Sequence, residues 1–288
     1  MRLAVIMTCH DRRDQTRKCL LSLDAAAQRV RGLDYHAYVM DDGSTDGTSQ
    51  GVEALELPVT ILHGPGDLFW NRGMVRAWEA AVATDVPYDA FLLLNDDTVL
   101  DLDALERLTV VGSENVGRAV VVGAVRDPDS GTLTYGGVRR LSHWHPGRVA
   151  TLAERDRPQS ADTFHANCVL VPASVCNAIG TLDATYHHGM GDFDYGYRAR
   201  QHGFDVVVAP NTVGTCARNG VAGTWRDPTL PLRRRLAMLE SPKGLPRREW
   251  HAFLRRHDAP AAGLLSWMPT LRVLSSWLRG QLKRGRHA

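Results

Sequence analysis

Five cysteines stand in the 288 residues, an odd number, and no pair has Cys-x-x-Cys spacing. That argues against a disulfide framework and against a thiolate zinc or redox site. Reduced thiols in a cytosol are the simplest reading. No run of about 18 apolar residues occurs, so no membrane-spanning helix is expected. The chain opens directly on an apolar strand, so no cleaved leader is expected either. There is no internal repeat and no long low-complexity stretch, which excludes solenoid and linker-type architectures.

What is present is an ample core, with 44% apolar residues. The length fits one or two domains. The small net charge of +2 hides a division. From Arg233 onward thirteen Lys or Arg face only Glu240, Glu249 and Asp258, a net +10, so residues 1–232 carry −8. The tail is physically unlike the body.

Strand and helix patterns alternate through the first half. Leu3–Met7, His36–Met40, Val59–Leu62, the run ending at Asn95 and Ala119–Gly123 read as strands. Arg13 to about Val30, a short piece past Thr45, Arg72–Ala83 and Asp101–Glu114 read as helices, with a Gly/Pro loop over 64–71. This order predicts a mostly parallel open α/β sheet with helices on both faces. Beyond Asp127 the spacing predicts strands at Thr132–Val138, Phe164–Val171 and Asp205–Val208, and helices at Ala173–Ile179 and Asp192–His202. Residues 142–162 are long and irregular, which marks a functional or disordered segment.

The chemistry sits at strand ends. Phe91-Leu92-Leu93-Leu94 runs straight into Asn95-Asp96-Asp97-Thr98. Two adjacent carboxylates at the C-terminal end of a buried strand occupy the edge where open α/β sheets bind ligands. They repel unless a proton or a hard cation intervenes, and such a cation usually also touches substrate phosphates. The plainer alternative is that Asp96 or Asp97 caps the helix beginning near Asp101. A second strand end, Tyr38-Val39-Met40, leads into Asp41-Asp42-Gly43-Ser44-Thr45-Asp46-Gly47-Thr48, and a third into Thr8-Cys9-His10-Asp11-Arg12. Three strands delivering polar groups to one sheet edge are more than three caps.

In order and spacing these pieces resemble glycosyltransferase family 2, the inverting nucleotide-sugar transferases of GT-A fold. The resemblance rests on Thr8–Arg12, Val39–Thr48, Leu94–Asp97 at the family's metal-binding Asp-x-Asp, and Gly191-Asp192-Phe193-Asp194-Tyr195-Gly196-Tyr197-Arg198 at its catalytic acidic motif. Gly66-Asp67-Leu68-Phe69-Trp70-Asn71-Arg72-Gly73-Met74 is similar to the donor-side segment of members that build bacterial surface polysaccharides. The likeness covers about residues 1–220. It implies a GT-A-like catalytic domain over 1–220, with a nucleotide-sugar half (1–125) and an acceptor half (126–220), followed by a basic helical extension over 221–288.

The resemblance implies a role for each candidate. Asp192 is the general base that takes the acceptor hydroxyl's proton. Asp97 is the ligand of a divalent cation, Mn2+ or Mg2+. Asp41 or Asp42 accepts hydrogen bonds from the donor base or ribose. Thr8, His10, Arg12, Arg72, Asn95, Asp96 and Arg218 complete the donor site, with Trp70 and Asn71 beside it. Asp194 orients or caps, pairing Arg198 at i+4. His165, His187 and His188 line the acceptor side or serve as ordinary structural histidines.

The chain also departs from the pattern. Asn95 stands for the first Asp of Asp-x-Asp and Gly191 for a common Glu, and Thr212–Arg218 lacks the family's downstream metal-binding His. These departures keep a non-catalytic carbohydrate-binding relative in play. A nucleotidyltransferase of related architecture is the other alternative, but Thr8–Arg12 lacks the glycine cluster such enzymes carry.

In the tail, Leu264, Trp267, Leu271, Leu274, Leu278 and Leu282 recur at helical spacing, interrupted at Pro269, with Arg272, Arg279, Lys283 and Arg286 toward the other face. A basic amphipathic helix with Trp suits an anionic membrane surface, or packing on the body or a second subunit. The expected partners are therefore a nucleotide-sugar donor, a glycan or lipid-linked glycan acceptor, and an anionic membrane surface. No nucleic acid is expected, a homo-oligomer is compatible, and the expected location is the cytoplasm, at the inner face of the membrane.

Overall fold

The computed structural model describes residues 1–284; Arg286 lies outside them. The first half alternates β1 (Arg2–Cys9), α1 (Arg13–Gln28), β2 (Asp34–Asp41), α2 (Thr48–Glu53), β3 (Val59–His63), α3 (Phe69–Val82) and β4 (Ala90–Leu94). Then come β5 (Val99–Leu100), α4 (Ala104–Glu114), β6 (Ala119–Arg126), β7 (Leu133–Tyr135), β8 (Gly137–Arg140), β9 (Val149–Thr151), β10 (Gln159–Ser160), β11 (Thr163–Phe164), β12 (Cys168–Pro172), α5 (Ala173–Ile179), α6 (Gly191–Gln201) and β13 (Asp205–Thr215). The C-terminal part is helical: α7 (Leu232–Leu239), α8 (Arg247–Arg256), α9 (Ala262–Leu265) and α10 (Met268–Arg284).

The main sheet has the order β10-β13-β6-β12-β4-β1-β2-β3, with β5 on β13 and β7 on β6. The long strands β1, β2, β3, β4, β6 and β13 share one direction, and β12 alone among them runs against its neighbours β4 and β6. The sheet is thus mostly parallel, as the strand–helix alternation predicts. A second sheet, β11-β8-β9, sits beside it.

Burial on both faces explains the continuous apolar runs. Along β1 the alternation is strict: Leu3, Val5 and Met7 enter one core with Leu20 and Leu23 of α1 and Leu105 and Leu108 of α4. Ala4 and Ile6 enter the opposite core with Met74 and Trp78 of α3 and Tyr195 of α6.

Two boundaries differ from expectation. The run 132–138 is one strand by pattern but two in the structure, because the chain changes sheet at Gly136 and Gly137. A Cβ on Gly137 would lie 2.1 Å from Val208, so only glycine passes there. Helix α3 starts at Phe69, a turn before Arg72, because the N–H groups of Leu68 and Phe69 donate to Asp42 Oδ2 at 2.9 and 3.0 Å. A cap supplied from 26 residues away leaves no local signal.

The C-terminal helices are joined to the body. Trp250, Phe253 and Leu254 of α8 and Ala262 of α9 share a third core with Val138, Tyr186, Phe193 and Tyr197. Helix α10 begins at Met268, so Pro269 sits in its first turn, where a missing N–H costs nothing. Val273 of α10 is buried, but Leu264, Trp267, Leu271, Leu278 and Leu282 are exposed. No described helix is long and apolar enough to cross a membrane.

Candidate active site

The C-terminal ends of β1, β2 and β4 and the start of α6 open onto one cleft of about 370 Å3. Thr8, His10, Arg12, Asp42, Asn95, Asp96, Asp97 and Asp192 all line it. So do Trp70, His165 and His188.

The floor is the acid pair. Arg12 Nη1 lies 2.7 Å from Asp97 Oδ2 and 3.3 Å from Asp96 Oδ1. Neither acid caps a helix: α4 starts after Asp103. Burial pushes the Asp96 carboxyl up to about 7, with Arg12 pulling it down and Asp97 pushing it up. Asn95 Oδ1 accepts the indole N–H of Trp70 at 2.8 Å, so the side chain is held beside the acid pair without adding a third charge. In the segment that lacks the downstream His, Cys216 Sγ lies 3.4 Å from Asp97 Oδ1. Burial raises that thiol to about 12, with Asp97 adding to the rise, so it stays protonated. Among the described residues no three His, Cys, Asp or Glu converge as a closed metal cage. The pair still fits a hard cation: a guanidinium already sits against both carboxylates, and a cation such as Mg2+ commonly takes one or two carboxylates plus substrate phosphates.

The donor-side loops are built by Asp41 and Asp42. Asp41 is buried and faces its own turn, accepting from the Ser44 N–H at 2.9 Å and from the Ser49 hydroxyl. It does not line the cleft. Asp42 does, while its carboxylate accepts the N–H groups of Gly66, Leu68 and Phe69. Phe69 adopts φ +57°, a left-handed conformation that these bonds hold in place. His10 Nδ1 contacts the Asp42 carbonyl at 2.6 Å, and Thr8 Oγ1 donates to the Met40 carbonyl at 3.1 Å.

Two expected donor residues stand elsewhere. Arg72 Nε donates to the Ala184 carbonyl at 3.0 Å, outside the cleft. Arg218 Nη2 donates to the Thr134 carbonyl at 2.8 Å and also does not line it. Asn71 is buried, with its amide N–H groups on the Asp183 and Tyr186 carbonyls at 2.8 Å each. Its oxygen would lie 1.7 Å from a Cβ on Gly191. Glycine at 191, where the resemblance expects Glu, is therefore a packing requirement.

Asp192 and Asp194 share the first turn of α6 and differ in everything else. Asp192 reaches the cleft wall, and burial raises it to about 6 despite the N–H of Phe193 on its Oδ1 at 2.8 Å. Asp194 points away, fully buried. It accepts from Arg198 Nε at 2.8 Å, Arg256 Nη1 and His257 Nε2 at 3.0 Å, and Tyr186 Oη at 3.1 Å. Burial would raise it, but the His257 bond and the Arg198 and Arg256 charges outweigh burial and bring it to about 2. Burial likewise lowers His165 and His188 to about 4, so both are neutral at pH 7. His187 lies outside the cleft, paired with Glu249 of α8 at 2.5 Å. Lys243, between α7 and α8, lines the cleft, and sequence reasoning missed it because it stands alone in a Pro/Gly turn with no motif around it.

The sequence model described as "Glycosyltransferase like family 2" matches residues 1–239. No curated protein matches the chain. Solved structures of like fold include the mannosyltransferase PcManGT from Pyrobaculum calidifontis in complex with GDP-Man and Mn2+. It is 15% identical at a TM-score of 0.57, over 96% of this chain and 72% of that one. S. aureus TarS 1-349 in complex with UDP is 13% identical at 0.55, over 89% and 72%. GalNAc-T7 with UDP, GalNAc and Mn2+ is 12% identical at 0.57, over 76% and 43%. At these identities the likeness is one of fold.

Proposed function

The chain belongs to glycosyltransferase family 2 and is a glycosyltransferase; from that premise we propose that it transfers a sugar, with inversion, from a nucleoside-diphosphate sugar to a glycan or lipid-linked glycan. The observation that carries this reading is Asp192, a carboxyl on the cleft wall whose environment lifts it to about 6. A base works best with a pKa near the operating pH. At pH 7 Asp192 is ionised and can take the acceptor hydroxyl's proton as that oxygen attacks the anomeric carbon and the nucleoside diphosphate leaves. Asn95, Asp42 and His10 line the donor side. A divalent cation, Mn2+ or Mg2+, held by Asp97 with Asp96, would act as a Lewis acid neutralising the diphosphate. The complexes named above, with GDP-Man or UDP and with Mn2+ in two of them, support a nucleotide-sugar and cation site of this kind.

A hydrolysis screen across UDP-, GDP- and dTDP-sugars, with and without Mn2+, tests the reading and identifies the donor. Calorimetry should show that Mn2+ or Mg2+ tightens diphosphate binding to the wild type but no longer to Asp97→Ala. An unchanged metal effect in the variant would remove Asp97 as the ligand.

The acceptor reading extends to the tail. The exposed Leu264, Trp267, Leu271, Leu278 and Leu282, with exposed Arg272 and Arg279 to the side of that stripe, suit an anionic membrane surface. Each engaged cation contributes about 1 kcal/mol there. Removing residues 261–288 should abolish sedimentation with phosphatidylserine vesicles and spare transfer to a soluble acceptor. An insoluble truncated protein would mean that this face packs on protein instead.

A further inference from the structure

The segment joining α7 to α8 lies beyond the family match, which ends at residue 239, yet it reaches the cleft. It is rigidly held. The N–H of Gly244 donates to the Ser241 carbonyl and that of Leu245 to the Leu239 carbonyl, each at 2.8 Å. A Cβ on Gly244 would lie 2.2 Å from the Met238 carbonyl, so the turn closes only with glycine. Just after it, Glu249 accepts the backbone N–H of His187 at 3.1 Å and pairs its ring. This pair clamps the start of α8 onto the loop that carries His188. Trp250 and Phe253 bury the same junction.

The clamped turn sets Lys243 into the lining of the cleft, which also holds the acid pair, and near enough to His188 for its charge to act on that ring. The charge arrangement there is one-sided. Arg12 is engaged by Asp96 and Asp97. His188 is neutral, because burial and then the Lys243 and Arg12 charges hold it down. Lys243 has no hydrogen-bond or ion-pair partner among the described residues. An unpaired ammonium facing a cleft whose other cation is already neutralised suits an anionic ligand that brings its own charge.

We propose that Lys243 binds the diphosphate of the donor and of the departing nucleoside diphosphate, so that the segment after residue 239 completes the donor site. This rests on the nucleotide-sugar reading of the cleft. An ammonium is a point charge with three donors, well matched to a diphosphate that changes charge distribution as the glycosidic bond breaks.

The test is calorimetry on the full chain with UDP, GDP and dTDP in the presence of MnCl2, on wild type, Lys243→Ala and Lys243→Arg. Loss of one charge-assisted contact should weaken diphosphate binding by about tenfold in Lys243→Ala, with substantial recovery in Lys243→Arg. The melting temperatures should stay level, since Lys243 is exposed. Equal affinity in wild type and Lys243→Ala would overturn the assignment while leaving the transferase reading intact. If the wild type binds none of the three diphosphates, the nucleotide-sugar reading fails and the assignment falls with it.

Discussion

Asp192 and Asp194 stand two residues apart in one helical turn, and their carboxyls move in opposite directions, to about 6 and to about 2. Side chains at i and i+2 face different sides of a helix. Here one side is the cleft and the other is the junction with α8. On the cleft side no cation among the described residues acts on the carboxyl, so burial dominates. On the junction side Arg198, Arg256 and His257 converge, so charge and hydrogen bonding dominate. A single turn can thus carry a group poised to exchange a proton and a group that cannot. The anchor holds the poised group in place, because the same turn bears both.

The anchor side offers the largest effect. Asp194→Ala takes the buried carboxylate from Arg198 and His257, while Arg256 keeps Asp183 at 2.6 Å, and breaking a buried pair this way costs about 3–5 kcal/mol. Chemical denaturation should report that loss. A change below about 1 kcal/mol would mean that the network is dispensable. The sign with pH also separates the two residues. Asp194, depressed below its unfolded value, contributes stability present above about 4 and lost as pH falls through about 2.

The cleft side predicts a pH–rate profile. A base at about 6 must be ionised to act, so turnover should fall about tenfold per pH unit below 6. A limb near pH 4 would place the base in an unperturbed carboxyl elsewhere. The same elevation has a small cost in stability. Asp192 binds its proton more tightly folded than unfolded, so its contribution declines as pH rises from about 4 to about 6. Asp192→Asn should therefore melt a few degrees higher than wild type at pH 8 and level with it at pH 4.

How much of this was legible in the sequence follows the same division. The strand ends that deliver Thr8–Arg12, Asp42 and Asn95–Asp97 are local patterns, an apolar run meeting polar residues, and they converge as the periodicity implies. Asp192 was singled out by the family resemblance of Gly191–Arg198 rather than by an apolar run. What was not legible is long-range. Asp41 and Asp42 read alike in sequence, but Asp41 closes its own turn while Asp42 caps α3 from a distance. Arg72 follows a glycine-rich loop, as a phosphate-binding Arg would, but the early start of α3 turns it to Ala184. Arg198 at i+4 of Asp194 pairs with it as the spacing implies, but Arg256 and His257 lie 62 and 63 residues on, inside a basic stretch where nothing local distinguishes Arg256 from its solvated neighbours. Lys243 was missed because it stands alone in a turn with no motif around it.

The most direct test sets Asp192→Asn beside Asp194→Asn, measuring turnover, diphosphate affinity and melting temperature for both. The account predicts a crossed result. Asp192→Asn should lose about 10²-fold or more in turnover while keeping diphosphate affinity and melting no lower than wild type. Asp194→Asn should melt well below wild type, with any loss of turnover following its loss of fold. Near-normal turnover in Asp192→Asn, or two variants that fail in the same way, would contradict the assignment of base and anchor to the two faces of this turn.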